Sequence, residues 1–346
     1  MIRTRFTEMF GLTYPVMSAP MALHSGGTLA GAVSAAGGLG SFGGIHPAKG
    51  PDWIRDEIAI IRARTDRPFA VGFITPFLTF AAPLFEAALG EGPAAIAFSF
   101  ADPRPWIDQA KASGARVICQ VQNYDDAELA VAAGADVLVA QGTEAGGHTG
   151  TMSLLAFLAG VVDRYPDVPV LAAGGIGDGR TLAAALTAGA DGAWLGTAFL
   201  ATPEAVEVHD VHKELIVGSD GTDTVFTQAY DIVSALPWPA GIGERVRRNR
   251  FTDEWSGRET ELRDRREEVA PPAGPITHLT SRPTRRRVLC STGSQPGSSQ
   301  PSGRPRRFSV RSAPTPSACC DHARPPFSPD VRRPCFVVRR SQITDL

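Results

Sequence analysis

Residues 132–141 read Ala132-Ala133-Gly134-Ala135-Asp136-Val137-Leu138-Val139-Ala140-Gln141, and residues 187–196 read Thr187-Ala188-Gly189-Ala190-Asp191-Gly192-Ala193-Trp194-Leu195-Gly196. In each, an Ala-rich helical stretch runs out at a Gly that can take a left-handed turn, and an apolar run of strand character follows. Similar apolar runs recur at 15–19, 39–43, 69–74, 94–99, 116–121, 137–141, 168–173 and 193–196. Between them lie amphipathic or Ala-rich stretches such as 52–63, 103–113, 125–133, 153–164 and 180–188. This βα beat predicts an α/β protein in which eight strands close a (β/α)8 TIM barrel over residues 1–205. A doubly wound sheet is the alternative, but it carries a glycine fingerprint after its first strand, where this chain has Ala19-Pro20-Met21. Residues 206–269 leave the beat and read as a small helical segment near the barrel mouth, bent at Leu236-Pro237-Trp238-Pro239.

The 346 residues are 43% hydrophobic and 20% charged, which supplies ample apolar material for a large core. Neither a run of 18 apolar residues nor a basic-flanked apolar start is present, so the expectation is a soluble cytoplasmic protein. A net charge of −2 conceals two unlike parts. Residues 270–346 hold 13 Arg, no Lys and 3 Asp, a balance of +10, leaving −12 for residues 1–269. With 13 of the 28 Pro and four of the five Cys, this Arg/Pro/Ser-rich tail has no sustained period and reads as disordered, or as DNA translated out of frame. A basic arm for nucleic acid is its lesser reading. Its Cys spacings lack the paired pattern of a zinc site, and no metal is expected.

In such a barrel, chemistry sits in the loops after the strands. After the seventh expected strand the chain reads Ala173-Gly174-Gly175-Ile176-Gly177-Asp178-Gly179, and the eighth ends in Leu195-Gly196-Thr197-Ala198. Barrels bind phosphate at these two loops through bare backbone N–H groups and a helix N-terminus, which makes Gly174, Gly175, Gly196 and Thr197 the candidate cradle. Tight turns alone would also account for the glycines. The loop after the sixth strand, Gln141-Gly142-Thr143-Glu144-Ala145-Gly146-Gly147-His148-Thr149-Gly150, puts a histidine on adaptable backbone, suited to proton transfer or anion stabilisation. His24 and His46 lie in early loops, while His209, His212, His278 and His322 look peripheral. No nucleophile elbow or carboxylate pair appears, and Cys119 reads as core.

These loops, with Pro15-Val16-Met17-Ser18-Ala19-Pro20-Met21-Ala22, Ala35-Ala36-Gly37-Gly38-Leu39-Gly40, Asp220-Gly221-Thr222-Asp223-Thr224 and Arg248-Asn249-Arg250-Phe251, resemble the nitronate monooxygenase family, formerly called 2-nitropropane dioxygenases. The resemblance spans residues 1–269. It implies a TIM barrel holding FMN non-covalently, with His148 as catalytic histidine. It further implies Ala19, Pro20 and Met21 against the flavin ring, Gln120 at its polar edge, and Gly174, Gly175, Gly196 and Thr197 around the phosphate. The implied reaction converts an alkyl nitronate or nitroalkane and O2 into a carbonyl compound and nitrite. Met21, Phe73 and Trp238 are the expected apolar pocket for the alkyl group. Some family members carry Lys where Gln120 stands and Asn where Phe73 stands; a neutral amide hydrogen-bonds the flavin without adding a full charge.

Residues 144–148 also resemble FMN-dependent enoyl-acyl carrier protein reductases, which use NAD(P)H. The departures at Gln120 and Phe73 and the 220–224 motif favour the monooxygenase branch. A non-catalytic barrel binding a phosphate ligand would keep the glycine cradle without need of His148. A homo-oligomer is a candidate assembly.

Overall fold

The structure, a computed structural model, describes residues 2–269; the expected tail 270–346 lies outside them. Eleven strands occur in this region: β1 (Val16–Ser18), β2 (Gly40–Gly43), β3 (Phe69–Ile74), β4 (Ala95–Ser99), β5 (Arg116–Val121), β6 (Val137–Gln141), β7 (Gly147–Thr149), β8 (Val170–Ala173), β9 (Gly192–Leu195), β10 (Thr224–Thr227) and β11 (Gly243–Arg247). All but β7, β10 and β11 form one parallel sheet in the order β1-β9-β8-β6-β5-β4-β3-β2. A parallel bridge between Met17 and Leu39 joins its two ends, so the sheet closes on itself as a (β/α)8 barrel. Each barrel strand falls within two residues of the bounds expected from the apolar runs.

The repeated Gly and Asp have identifiable work. Gly134 and Gly189 adopt φ of +89° and +98°, the left-handed turn that releases the chain from its helix. The Asp136 carboxylate then accepts from the Val117 amide at 2.8 Å, and the Asp191 carboxylate from the Val170 amide at 3.0 Å. Each Asp thus ties the base of its own strand to the base of the preceding neighbour. Asp191 also pairs with Arg5 at 2.6 Å, which fastens the N-terminal helix Arg5–Phe10 to the barrel floor.

Period-2 alternation sorts the strand residues into two cores. Met17, Leu39, Ala70, Ala95, Ala97, Ile118, Val139, Leu171 and Trp194 fill the interior, closed below by Phe6, Phe10 and Leu12. Val71, Phe73, Ile96, Phe98, Val117, Cys119, Leu138 and Ala172 face outward against the helices. Phe73 packs edge-on to Phe85 at 5.2 Å. It therefore does not line the mouth as expected: in β3 the inward positions are those of Ala70, Gly72 and Ile74.

Residues 206–269 are not purely helical. Helices Asp210–Val217, Ala229–Ser234, Arg250–Trp255, Glu259–Asp264 and Arg266–Val269 are joined by β10 and β11, an antiparallel pair that adds β7 as a third strand. The Asp220–Thr224 stretch builds the entry to this pair: Asp220 accepts from the Thr222 amide at 3.0 Å, and Asp223 holds Arg247 at 2.5 Å. No helix among the described residues is long and apolar enough to cross a membrane.

Candidate active site

The three-stranded sheet fixes the position of His148. In the register of β7 and β11, His148 stands opposite Glu244 and Gly147 opposite Arg245, and cross-strand partners present their side chains on one face. The Arg245 Nε donates to the Thr143 carbonyl at 2.6 Å, tying the loop that precedes β7 to β11. From inside the barrel, the Gln141 amide donates to the His148 carbonyl at 3.0 Å and is itself met by the Gln122 amide at 2.9 Å. Backbone and loop are thus held from both sides.

Three side chains surround the imidazole. Asp231, from helix Ala229–Ser234, places Oδ1 2.9 Å from His148 Nε2. Trp238 lies flat on the ring, with centroids 3.6 Å apart and planes 17° from parallel. Phe100 approaches edge-on at 6.3 Å. Phe100 and Phe77 also meet the Trp238 indole edge-on, at 5.2 and 5.3 Å. Phe100 has φ of +72°, a left-handed conformation that costs a side-chain-bearing residue about 1–3 kcal/mol. Such strain is concentrated at functional sites, and here it sits beside the histidine.

Asp231 and Glu244 are both buried, at 6% and 3% exposure. Burial, reinforced by the nearby Asp231 carboxylate, pushes the Glu244 carboxyl up to about 9, so it stays a neutral acid at neutral pH. Ligating atoms of His148, Asp231 and Glu244 lie within 4.8 Å of one another, the one group among the described residues compact enough to share a metal ion. The direct His148–Asp231 contact already closes one side of that space.

Above the barrel the residues expected around a cofactor converge. A Cβ on Gly196 would sit 3.5 Å from both Ala19 Cβ and Met21 Sδ, and one on Gly72 would strike Pro20 at 2.2 Å. Gly174, at φ of +110°, could carry no Cβ without meeting the Ala145 amide nitrogen at 2.9 Å and the Gly142 carbonyl at 3.0 Å. A Cβ on Gly146 would meet Thr197 Oγ1 at 2.5 Å, so the loops after β6, β8 and β9 abut. Gln120 lies in the β5 layer between Ser99 and Val139, buried, with Oε1 lacking a hydrogen-bond partner among the described residues. An orphaned buried acceptor at a strand's carboxyl end fits a ligand that donates to it.

Some candidates have other roles. The helix Gly179–Thr187 after β8 is capped by Asp178, which accepts from the Thr181 amide at 2.8 Å; an acidic cap makes this helix end a poor anion site. Glu144 accepts from the Leu154 amide at 3.0 Å and caps the next helix. His46 packs on Trp53 at 5.3 Å, and His24 Nδ1 lies 2.9 Å from the Ala22 carbonyl, so neither joins His148. Burial pushes both below the ordinary histidine range.

Asp231 and Glu244 were not legible as site residues. Each is an isolated acid in a segment without motif, and Asp231 lies 83 positions from the histidine it touches.

The nitronate monooxygenase family model matches residues 3–87 and 84–236. A nitronate monooxygenase from Pseudomonas aeruginosa is 34% identical over 275 residues, covering 64% of this chain and 76% of the relative. Among solved structures, FabK from Thermotoga maritima is 36% identical with a TM-score of 0.68, covering 78% of this chain and 82% of that one. The nitroalkane oxidase from Streptomyces ansochromogenes is 32% identical with a TM-score of 0.61, covering 79% and 85%.

Proposed function

The chain belongs to the nitronate monooxygenase family, and from that membership we propose that it is an FMN-dependent oxidoreductase, converting alkyl nitronates or nitroalkanes and O2 into carbonyl compounds and nitrite. The observation that carries this reading is the placement of His148: a half-buried imidazole, stacked on Trp238 and bonded to Asp231, on the loop that abuts the glycine-lined loops after β8 and β9. Bound FMN would accept the substrate's electrons and pass them to oxygen.

The residues present fit that cofactor. Gly174, Gly175, Gly196 and Thr197 lie on loops that abut one another, and their backbone N–H groups are the proposed cradle for its phosphate. Ala19, Pro20 and Met21 supply a small apolar wall, and the orphaned Gln120 acceptor suits the polar edge of a flavin. His148 has Nε2 engaged by Asp231, so Nδ1 is the atom that takes the α-proton of a neutral nitroalkane or, once protonated, steadies the anionic nitronate. Trp238 and Phe100 pack against the imidazole, and with Phe77 behind Trp238 they form an aromatic wall that would accept a small alkyl group.

The test is His148→Asn in the full chain. It should keep its flavin and lose roughly 10²-fold or more of nitroalkane turnover; full activity would remove His148 from the reaction.

A second reading, an FMN-dependent enoyl-acyl carrier protein reductase, is supported by residues 144–148 and by the likeness to FabK. It would place the same His148 beside a fatty-acyl double bond and require NAD(P)H. A non-catalytic phosphate-binding barrel would leave the buried His148–Asp231 pair without a use.

A further inference from the structure

We propose that Asp231 is the positioning residue of the site: it fixes His148 as the Nε2–H tautomer and presents Nδ1 for proton exchange, with Glu244 backing it from β11. This rests on the reading of His148 as the proton-handling group. Three separate elements build the arrangement, β7 for His148 and, about eighty residues or more further on, helix Ala229–Ser234 for Asp231 and β11 for Glu244. The Trp238 stack fixes the plane of the ring, and a stack alone leaves open which nitrogen faces which way. The 2.9 Å bond to Asp231 Oδ1 settles that, because a carboxylate only accepts and so the proton belongs on Nε2.

The buried carboxylate has little else to do. Among the described residues the hydrogen-bond partner of the Asp231 side chain is His148, and Oδ2 has none. A buried charge is tolerated when a partner compensates it, and the imidazole is the partner at hand. A second carboxylate on the same imidazole would add repulsion if ionised. Glu244, held as a neutral acid, keeps the charge behind His148 at one. That single charge stabilises the imidazolium whenever Nδ1 takes a proton, as a buried Asp does behind a catalytic His in serine proteases.

The experiment uses the full-length protein with its flavin and no substrate. Nitrogen NMR of the His148 ring should show Nε2 protonated and Nδ1 bare in the neutral form, and Asp231→Asn should convert this to a mixture. The same variant should lose roughly 10²-fold in kcat, with KM and flavin content within about twofold, and Asp231→Glu should recover part of the loss. A wild-type Nδ1–H tautomer overturns the proposal, as does an Asp231→Asn enzyme with wild-type kcat. If Asp231→Asn fails to fold, the wild-type tautomer decides alone. The spectrum is independent of substrate, and flavin reduction by nitronate or by NAD(P)H serves equally for the kinetic arm, so an error in the assigned substrate is distinguishable from an error about Asp231.

Discussion

The imidazole of His148 lies on the indole of Trp238 at a centroid separation of 3.6 Å. The stack is an outcome of backbone chemistry as much as of ring affinity. Pro237 and Pro239 flank Trp238 and restrict φ on both sides, while the left-handed Ala235 ends the helix that carries Asp231. One short segment therefore delivers both the ring above His148 and the carboxylate beside it.

Trp238→Ala should consequently lower turnover at least tenfold while retaining flavin. Loss of three aromatic contacts should cost about 1–3 kcal/mol of stability. Trp238→Phe should restore most of both, as read from steady-state kinetics and denaturant midpoints. Unchanged kcat in the Ala variant would mean that the stack has no part in presenting His148.

The raised Glu244 carboxyl sets the sign of an expected pH dependence of stability. With the carboxyl at about 9 in the folded state and near 4.5 when unfolded, the native protein holds an extra proton between those values. This contribution is full below about pH 4.5 and is lost as pH rises toward 9. Glu244→Gln, which mimics the neutral acid, should match the wild type in stability near pH 5 and exceed it increasingly toward pH 9, by on the order of a few kcal/mol. Urea unfolding across this range tests the point, and parallel curves for the two proteins would refute it.

The glycines separate architectural from binding roles. Gly196→Ala would place its Cβ in ordinary contact with Ala19 and Met21, so the fold should persist while flavin occupancy falls. Gly174→Ala should lose both, because φ of +110° and close backbone neighbours oppose any side chain; the strain exceeds about 1 kcal/mol. Gly177→Ala, with open space around it, should change neither. Flavin-to-protein ratios and melting temperatures of the three variants distinguish these cases.

The barrel was legible because its eight strands are buried apolar runs separated by helices, a period that survives without long-range information. The repeated Gly134/Asp136 and Gly189/Asp191 also follow from local chemistry. The strands β7, β10 and β11 escaped because they are three to five residues long, contain Gly, Thr and Arg, and form only through pairing, β7 with β11 across about a hundred residues and β10 with β11 across about twenty. Phe73 was misplaced for a different reason: alternation along β3 puts Gly72, not Phe73, on the inward face, and an aromatic side chain at a strand end invites the opposite assignment. Asp231 and Glu244 carry no local signal, so their convergence on His148 appears only once the three-stranded sheet is formed.

Oxidation of nitronates at His148 is the activity proposed for this barrel. The most direct measurement is the flavin absorption spectrum of the purified full-length protein, mixed anaerobically with propyl nitronate and, separately, with NADPH or NADH. The expected result is bleaching by the nitronate, recovery of colour on admitting air, and release of nitrite. Bleaching by the reduced nicotinamide with no response to nitronate would contradict it and assign the site to enoyl reduction.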